Sequence, residues 1–258
     1  MCKIITIANQ KGGVGKTTTA LNLGIGLAKT SEKVLCIDAD SQGNLSVSLG
    51  INEPDKLEYT LANVMLDTLN DKEISKDIIL HHKENIDFIP ANIDLSDTEV
   101  QLISTIGRES VLRHYLEQIK ADYNYIIIDC SPNLGIVTIN ALACSDSVII
   151  PVQASYLSLK GLELLLKTIS KIKRQVNPKL EIEGILITMV DNRSTYAKEI
   201  SEMLKTAYGS SIRVFENSIP RSIKQDESSV SGGSIYKYAK SSKVAKSYEA
   251  FVSEVMEV

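Results

Sequence analysis

The sequence contains no tryptophan and only three phenylalanines in 258 residues. Its hydrophobic content, 43%, therefore comes mainly from Ile, Leu, Val and Ala, the residues that fill α/β sheets covered on both faces. No run of about 18 apolar residues occurs, so no transmembrane helix is expected. The four cysteines, Cys2, Cys36, Cys130 and Cys144, form no CxxC pair and have no histidine cluster beside them. They read as reduced thiols of a cytoplasmic protein rather than as a zinc site or a disulfide framework. No secretory signal is present, because the short apolar run after Lys3 gives way at once to Asn9-Gln10-Lys11. An overall positive charge is also missing. With a net charge of −4, any contact with nucleic acid has to come from a local patch.

What is present is an alternation of short apolar runs with longer amphipathic stretches. Strands are expected at Lys3–Ala8, Val34–Asp38, Ile86–Pro90, Tyr125–Asp129, Ser147–Pro151, Gly184–Val190 and Arg213–Phe215. Helical periodicity fits Lys16–Lys29, Glu109–Ala121, Leu157–Gln175, Thr195–Tyr208 and Ser241–Met256. Asn52–Lys83 reads as helices and loops on one edge, and Lys224–Ser234 as a loop with Gly232-Gly233 at its most mobile point. The pattern argues for one α/β domain over residues 1–258, built on a doubly wound, mainly parallel sheet flanked by helices.

The chemistry is concentrated in Lys11-Gly12-Gly13-Val14-Gly15-Lys16-Thr17-Thr18, which follows a strand and opens a helix. Its glycines let main-chain N–H groups turn toward phosphate oxygens, and the helix N-terminus adds partial positive charge. Lys16 is placed for the β- and γ-phosphates and Thr17 for Mg²⁺, so ATP and Mg²⁺ are the expected cofactors. The ordinary P-loop is GxxxxGK[ST]. Here Gln10 stands where its first glycine should be, followed by a second lysine, Lys11. A lysine there is badly placed for its own nucleotide and well placed for one bound by a facing subunit, where it would act as an arginine finger does.

Acids at the ends of neighbouring strands complete the arrangement. Ile126-Ile127-Ile128-Asp129 has the Walker B form, and Asp129 is expected to hold Mg²⁺, through water. Asp38 and Asp40 share a strand face, Asp38 to orient the metal's waters and Asp40 to position the attacking water.

Lys11–Thr18 (KGGVGKTT), Asp38–Ser46 (DADSQGNLS), Ile126–Pro132 (IIIDCSP), Pro151–Gln153 (PVQ) and Ile219–Arg221 (IPR) resemble the ParA/Soj partition ATPases, members of the deviant Walker A superfamily, in order and spacing. The resemblance covers essentially the whole chain. It implies a sandwich of two subunits holding ATP, with Lys11 acting in trans, Lys16 and Thr17 on phosphate and Mg²⁺, and Asp40 needed for hydrolysis. It also implies an adenine site near Met189 and Pro220, and a ParB-like centromere-binding protein that stimulates slow hydrolysis. Three departures stand out: Ser41 replaces a proline, Ser131-Pro132 replaces a proline pair, and Glu227-Ser228-Ser229 replaces a Glu-Ala-Pro stretch. They bear on loop stiffness rather than on the catalytic side chains.

Between Arg221 and Tyr248 stand six basic residues, Arg221, Lys224, Lys237, Lys240, Lys243 and Lys246, against two acids, Asp226 and Glu227. The last four lysines recur every third residue and on one helix would form a drifting stripe along a phosphate backbone. Arg193 and Arg221 resemble the family's DNA-contact arginines. The expectation is non-specific DNA binding by the ATP dimer, hence a nucleoid-associated cytoplasmic protein. A helix-turn-helix extension before the P-loop is not expected. The alternative is a MinD-like membrane-positioning ATPase, disfavoured because Tyr248–Val258 carries Glu249, Glu254 and Glu257 without a lysine. An iron–sulfur protein is disfavoured by the positions of the cysteines, and a small-molecule kinase by the lack of an acceptor-site signature.

Overall fold

The computed structural model describes residues 2–191 and 194–257. Strands β1 (Lys3–Ile7), β2 (Val34–Ala39), β3 (Leu80–His82), β4 (Ile86–Ile89), β5 (Tyr125–Cys130), β6 (Ser147–Gln153) and β7 (Glu181–Thr188) form one sheet in the order β3-β4-β2-β5-β1-β6-β7. All neighbours are parallel except β3 with β4. The helices are α1 (Lys16–Ala28), α2 (Asn44–Ser48), α3 (Leu61–Leu69), α4 (Asp94–Ile103), α5 (Val111–Ile119), α6 (Ile136–Cys144), α7 (Tyr156–Gln175), α8 (Thr195–Tyr208), α9 (Ile223–Val230), α10 (Ile235–Tyr238) and α11 (Lys243–Met256).

Period-two alternation divides the strands between two cores. Ile4, Leu35, Ile37, Ile126 and Ile128 face α3 to α8, whereas Ile5, Ile7, Cys36 and Ile127 face α1 and α11. Strands apolar on both faces can only be central, which is where β1 and β5 lie. α1 is buried along almost its whole length. Leu21, Leu23, Ile25 and Leu27 are fully buried, each contributing roughly 2 kcal/mol through lost contact with water. Such enclosure requires close approach to β2. A Cβ on Gly24 would stand 2.4 Å from Cys36 Sγ.

Three expectations are corrected. The segment expected as the loop Lys224–Ser234 contains α9; its polar residues Gln225 and Ser228 are buried, and Gln225 bonds Asn22 of α1. Tertiary pairing here overrides a loop-like composition. Arg213–Phe215 makes only an isolated bridge, Ile185 with Val214, and no strand. The lysine stripe is interrupted. Lys237 lies in α10, Lys240 in the connection, and only Lys243 and Lys246 in α11, because the Ser242 hydroxyl caps that helix by accepting from Ala245 N.

Candidate active site

The parallel strands end together, and the loops after β1, β2 and β5 meet there. After β1, the side chain of Asn9 donates to Pro151 O at 2.6 Å and accepts from Lys11 N at 3.0 Å, fixing the start of the loop to β6. Thr188 Oγ1 donates to Val14 O at 2.8 Å, fixing its middle to β7. Gly13 and Gly15 take the left-handed conformation, with φ of 67° and 84°, and a Cβ on Gly12 or Gly13 would meet nothing within 4 Å. The loop thus leaves an open cradle under the N-terminus of α1. A cavity of about 590 Å³ opens on Gly12, Gly13, Lys16, Thr17, Thr18 and Asp40, and reaches Pro132 and Met189. An adjoining cavity of about 320 Å³ is lined by Met189 and Pro220. Gly12, Gly13, Gly15, Lys16, Thr17, Thr18, Met189 and Pro220 therefore surround one continuous region, whereas Lys11 and the buried Val14 line neither cavity, and Met189, at φ 54°, stands where the two cavities meet.

Under the cradle is a buried charge cluster. Asp38 and Asp129 are register partners on β2 and β5. Asp38 is engaged: it accepts from Ser46 N and Ser46 Oγ, both at 2.8 Å, and from Asp40 N at 3.2 Å. Burial still pushes its carboxyl up to about 7, against the lowering effect of Ser46. Asp129 is fully buried, and neither of its side-chain oxygens has a hydrogen-bond partner among the described residues. Burial, then the adjacent Asp38, push its pKa well above the carboxylate range, while the nearby Thr17 hydroxyl and Lys16 ammonium pull it down. Burial lowers the Lys16 pKa, and Asp129 and Asp40 oppose that. The Lys16 ammonium donates to Lys11 O at 3.2 Å. An ammonium and an orphaned carboxylate face the same cradle, which suits phosphate on one side and a hydrated divalent cation on the other.

The Lys11 side chain leaves the cradle and lies 3.4 Å from Gln153 Oε1 and 3.2 Å from Ser155 Oγ. Sequence reasoning did not single out Ser46, Thr188 or Asn9 as site residues. Only Ser46 fell inside a quoted motif; Asn9 stands two residues before Lys11, and Thr188 is identified by the fold, which brings β7 against the loop.

Most of the basic candidates lie outside the two cavities at the loop, but Arg221 lines the one of about 320 Å³ beside Pro220. Lys224, Lys240 and Lys246 line an open cavity of about 790 Å³ together with Glu227 and Glu249. Arg221 and Lys243 line another of about 500 Å³. Lys237 is exposed on α10, and Arg193 lies outside the described residues. Of the C-terminal acids, Glu254 is not free to face solvent as expected: it is buried and accepts from Glu216 N, Asn217 N and Asn217 Nδ2. Cys36 and Cys130 are buried and held as thiols by desolvation, unsuited to exposed thiolate ligation.

A family model for an AAA domain matches residues 2–182. The sporulation initiation inhibitor protein Soj of Bacillus subtilis (strain 168) is 43% identical over 255 residues, covering 99% of this chain and 98% of its own. The chromosome partitioning protein ParA of Myxococcus xanthus (strain DK1622) is 42% identical over 256 residues, covering 98% of this chain and 88% of its own. Among solved structures, a Mycobacterium smegmatis protein described as cobyrinic acid a,c-diamide synthase with bound ADP and magnesium gives a TM-score of 0.87. It is 33% identical and covers 100% of this chain and 95% of its own.

Proposed function

The chain belongs to the ParA/Soj family of AAA domains, and on that premise we propose that it is a Mg²⁺-dependent ATPase driving DNA partition. The observation that carries the reading is that Lys16 and the buried Asp129, whose oxygens have no hydrogen-bond partner among the described residues, lie near each other under a loop that begins with Lys11. ATP fits with its phosphates on the loop amides and Lys16, and its adenine beside Met189 and Pro220. Thr17 and, through water, Asp129 and Asp38 would hold Mg²⁺, which neutralises phosphate charge when bound. Asp40 positions the attacking water. Lys11 leaves Gln153 and Ser155 to reach the nucleotide of a facing subunit.

Two ATP-bound subunits close face to face and bind DNA without sequence preference through Arg221, Lys224, Lys237, Lys240, Lys243 and Lys246, with Arg193 as a further candidate. Doubling the basic surface is what makes binding depend on the dimer. A ParB-like centromere-binding protein stimulates hydrolysis and so releases the DNA, which gives a nucleoid-associated protein. Burial of Val244, Tyr248, Phe251, Val252 and Val255 leaves α11 no apolar face for lipid. That observation weighs against the MinD-like alternative.

The test is an Asp40→Ala variant with ATP and Mg²⁺, measured by gel filtration and DNA co-sedimentation. A dimer that stays on DNA and does not turn over is expected. Absence of any ATP-dependent dimer or DNA retention would remove the reading.

A further inference from the structure

Four of the eleven large apolar side chains exposed among the described residues fall within residues 93–106: Ile93 at 51%, Val100 at 67%, Ile103 at 59% and Ile106 at 99%. Such a concentration on one short surface is not scatter. Ile93 and Val100 are seven residues apart and share one line along α4. Leu95, Thr98 and Leu102, on the opposite side, are buried. On α4 itself the charge has one sign, while the Arg108 guanidinium, which donates to Ile103 O and pairs with Glu109, stands beyond its C-terminal end. Asp94 and Asp97 on α4 are exposed, α4 contains no basic residue, and exposed Asp55 accepts from Ile93 N at 3.2 Å.

This face is also connected to the active site. Glu99 Oε1, from the same helix, accepts from Val137 N at the start of α6 at 3.3 Å. A Cβ on Gly135 would meet that oxygen at 2.4 Å, so the loop from Asp129 to α6 packs directly on Glu99. Pro132 in that loop lines the nucleotide cavity.

We propose that the exposed face of α4 with Ile106 is the docking surface for a cationic, apolar segment of the partner protein that stimulates hydrolysis. The aliphatic side chains supply the buried anchor, and Asp55, Asp94 and Asp97 the rim that selects positive charge. Pressure on α4 reaches the nucleotide through Glu99 and the loop holding Pro132. A second copy of this chain is the poorer occupant, since a two-fold contact would bring the same acids face to face. The inference rests on the partition reading given above.

The experiment measures ATP hydrolysis with and without a purified ParB-like centromere-binding protein, in the wild type and in Val100→Ser/Ile103→Ser. Both side chains are exposed, so folding, unstimulated hydrolysis and DNA retention stay unchanged. Stimulation by the partner needs at least about tenfold more of it. Asp97→Lys, tested separately, weakens stimulation and its salt dependence together. Equal stimulation of wild type and both variants overturns the docking surface and leaves the partition reading intact. No stimulation of the wild type overturns the partition reading, and the docking surface with it.

Discussion

The ammonium of Lys16 donates to the main-chain carbonyl of Lys11, 3.2 Å away, while the ammonium of Lys11 points outward to Ser155 Oγ at 3.2 Å. The two lysines thus mark the two ends of one loop and face opposite ways. Lys16 lines the cradle, whereas the Lys11 ammonium is held beside Gln153 and Ser155. Lys11→Ala is expected to retain nucleotide binding within about threefold and to lose ATP-dependent dimerisation and hydrolysis. Lys16→Ala loses nucleotide binding itself, by about 100-fold or more. Fluorescent-nucleotide titration and gel filtration with ATP separate the two outcomes.

Asp129 is a buried acid whose side-chain oxygens have no hydrogen-bond partner among the described residues. Such a group destabilises the free protein. Asp129→Asn is expected to raise the thermal midpoint of the nucleotide-free protein, by about 1 kcal/mol or about 2–4 °C. The same variant loses the additional stabilisation that Mg²⁺ gives to the ATP-bound form. Thermal melts of both proteins, with ATP and with or without Mg²⁺, check both halves.

The basic face makes a prediction about salt. In a dimer every lysine occurs twice. Removing Lys240 or Lys246, which line the same open cavity, should lower the slope of log affinity against log salt by about 2 per dimer, equally for any DNA sequence. Lys120, paired with Glu117 elsewhere, should leave the slope unchanged when replaced by Ala. Titrations on duplexes of unrelated sequence at several salt concentrations measure this.

Gly24 gives a packing test of the frame that carries the loop. Ala has the better helix propensity, but its Cβ would enter the volume of Cys36 Sγ, 2.4 Å away. Gly24→Ala alone should destabilise by about 1–3 kcal/mol through overpacking. Cys36→Ala in the same chain should restore most of that loss. Denaturant midpoints of the single and double variants give the coupling.

The central sheet was legible in the sequence because β1, β2 and β5 are continuous apolar runs, and a strand buried on both faces leaves no other signature. The P-loop and its acids were legible because phosphate chemistry fixes residue types at fixed spacing. Helix α4 and the edge strand β3 were not foreseen. α4 (DLSDTEVQLI) buries only Leu95, Thr98 and Leu102 and leaves Val100 and Ile103 exposed, so its apolar residues show no clean stripe, and β3 has three residues with two histidines. α9 was missed because its stability comes from outside it, from buried Gln225 and Ser228 meeting α1. The split of the lysine stripe was missed because a three-residue recurrence looks the same whether or not a Ser cap interrupts the helix.

His82 ties the β3–β4 hairpin to the turn after α9, and this contact should respond to pH. Its Nδ1 accepts from Glu84 N at 3.3 Å, which places the ring proton on Nε2, facing Gly232 O at 3.4 Å. Burial lowers its pKa from the ordinary 6.5; the Gly232 contact and Glu84 oppose the shift, and Lys83 and Lys237 add to it. A depressed histidine pKa means that the unfolded chain takes up the proton first. Its stabilising contribution is complete above about pH 6.5 and is lost as pH falls through the folded value. Asp38, pushed up to about 7 by burial, has the opposite sign: its contribution is lost as pH rises from the ordinary carboxylate range towards 7. Wild type alone therefore mixes the two effects. His82→Asn keeps an acceptor for Glu84 N and removes the titration, so the difference between variant and wild type isolates the histidine. Urea midpoints at pH 7.5 and 5.5 should show a smaller acid-induced loss in His82→Asn. Equal losses would mean that the ring takes up its proton over the same pH range in the folded and the unfolded chain.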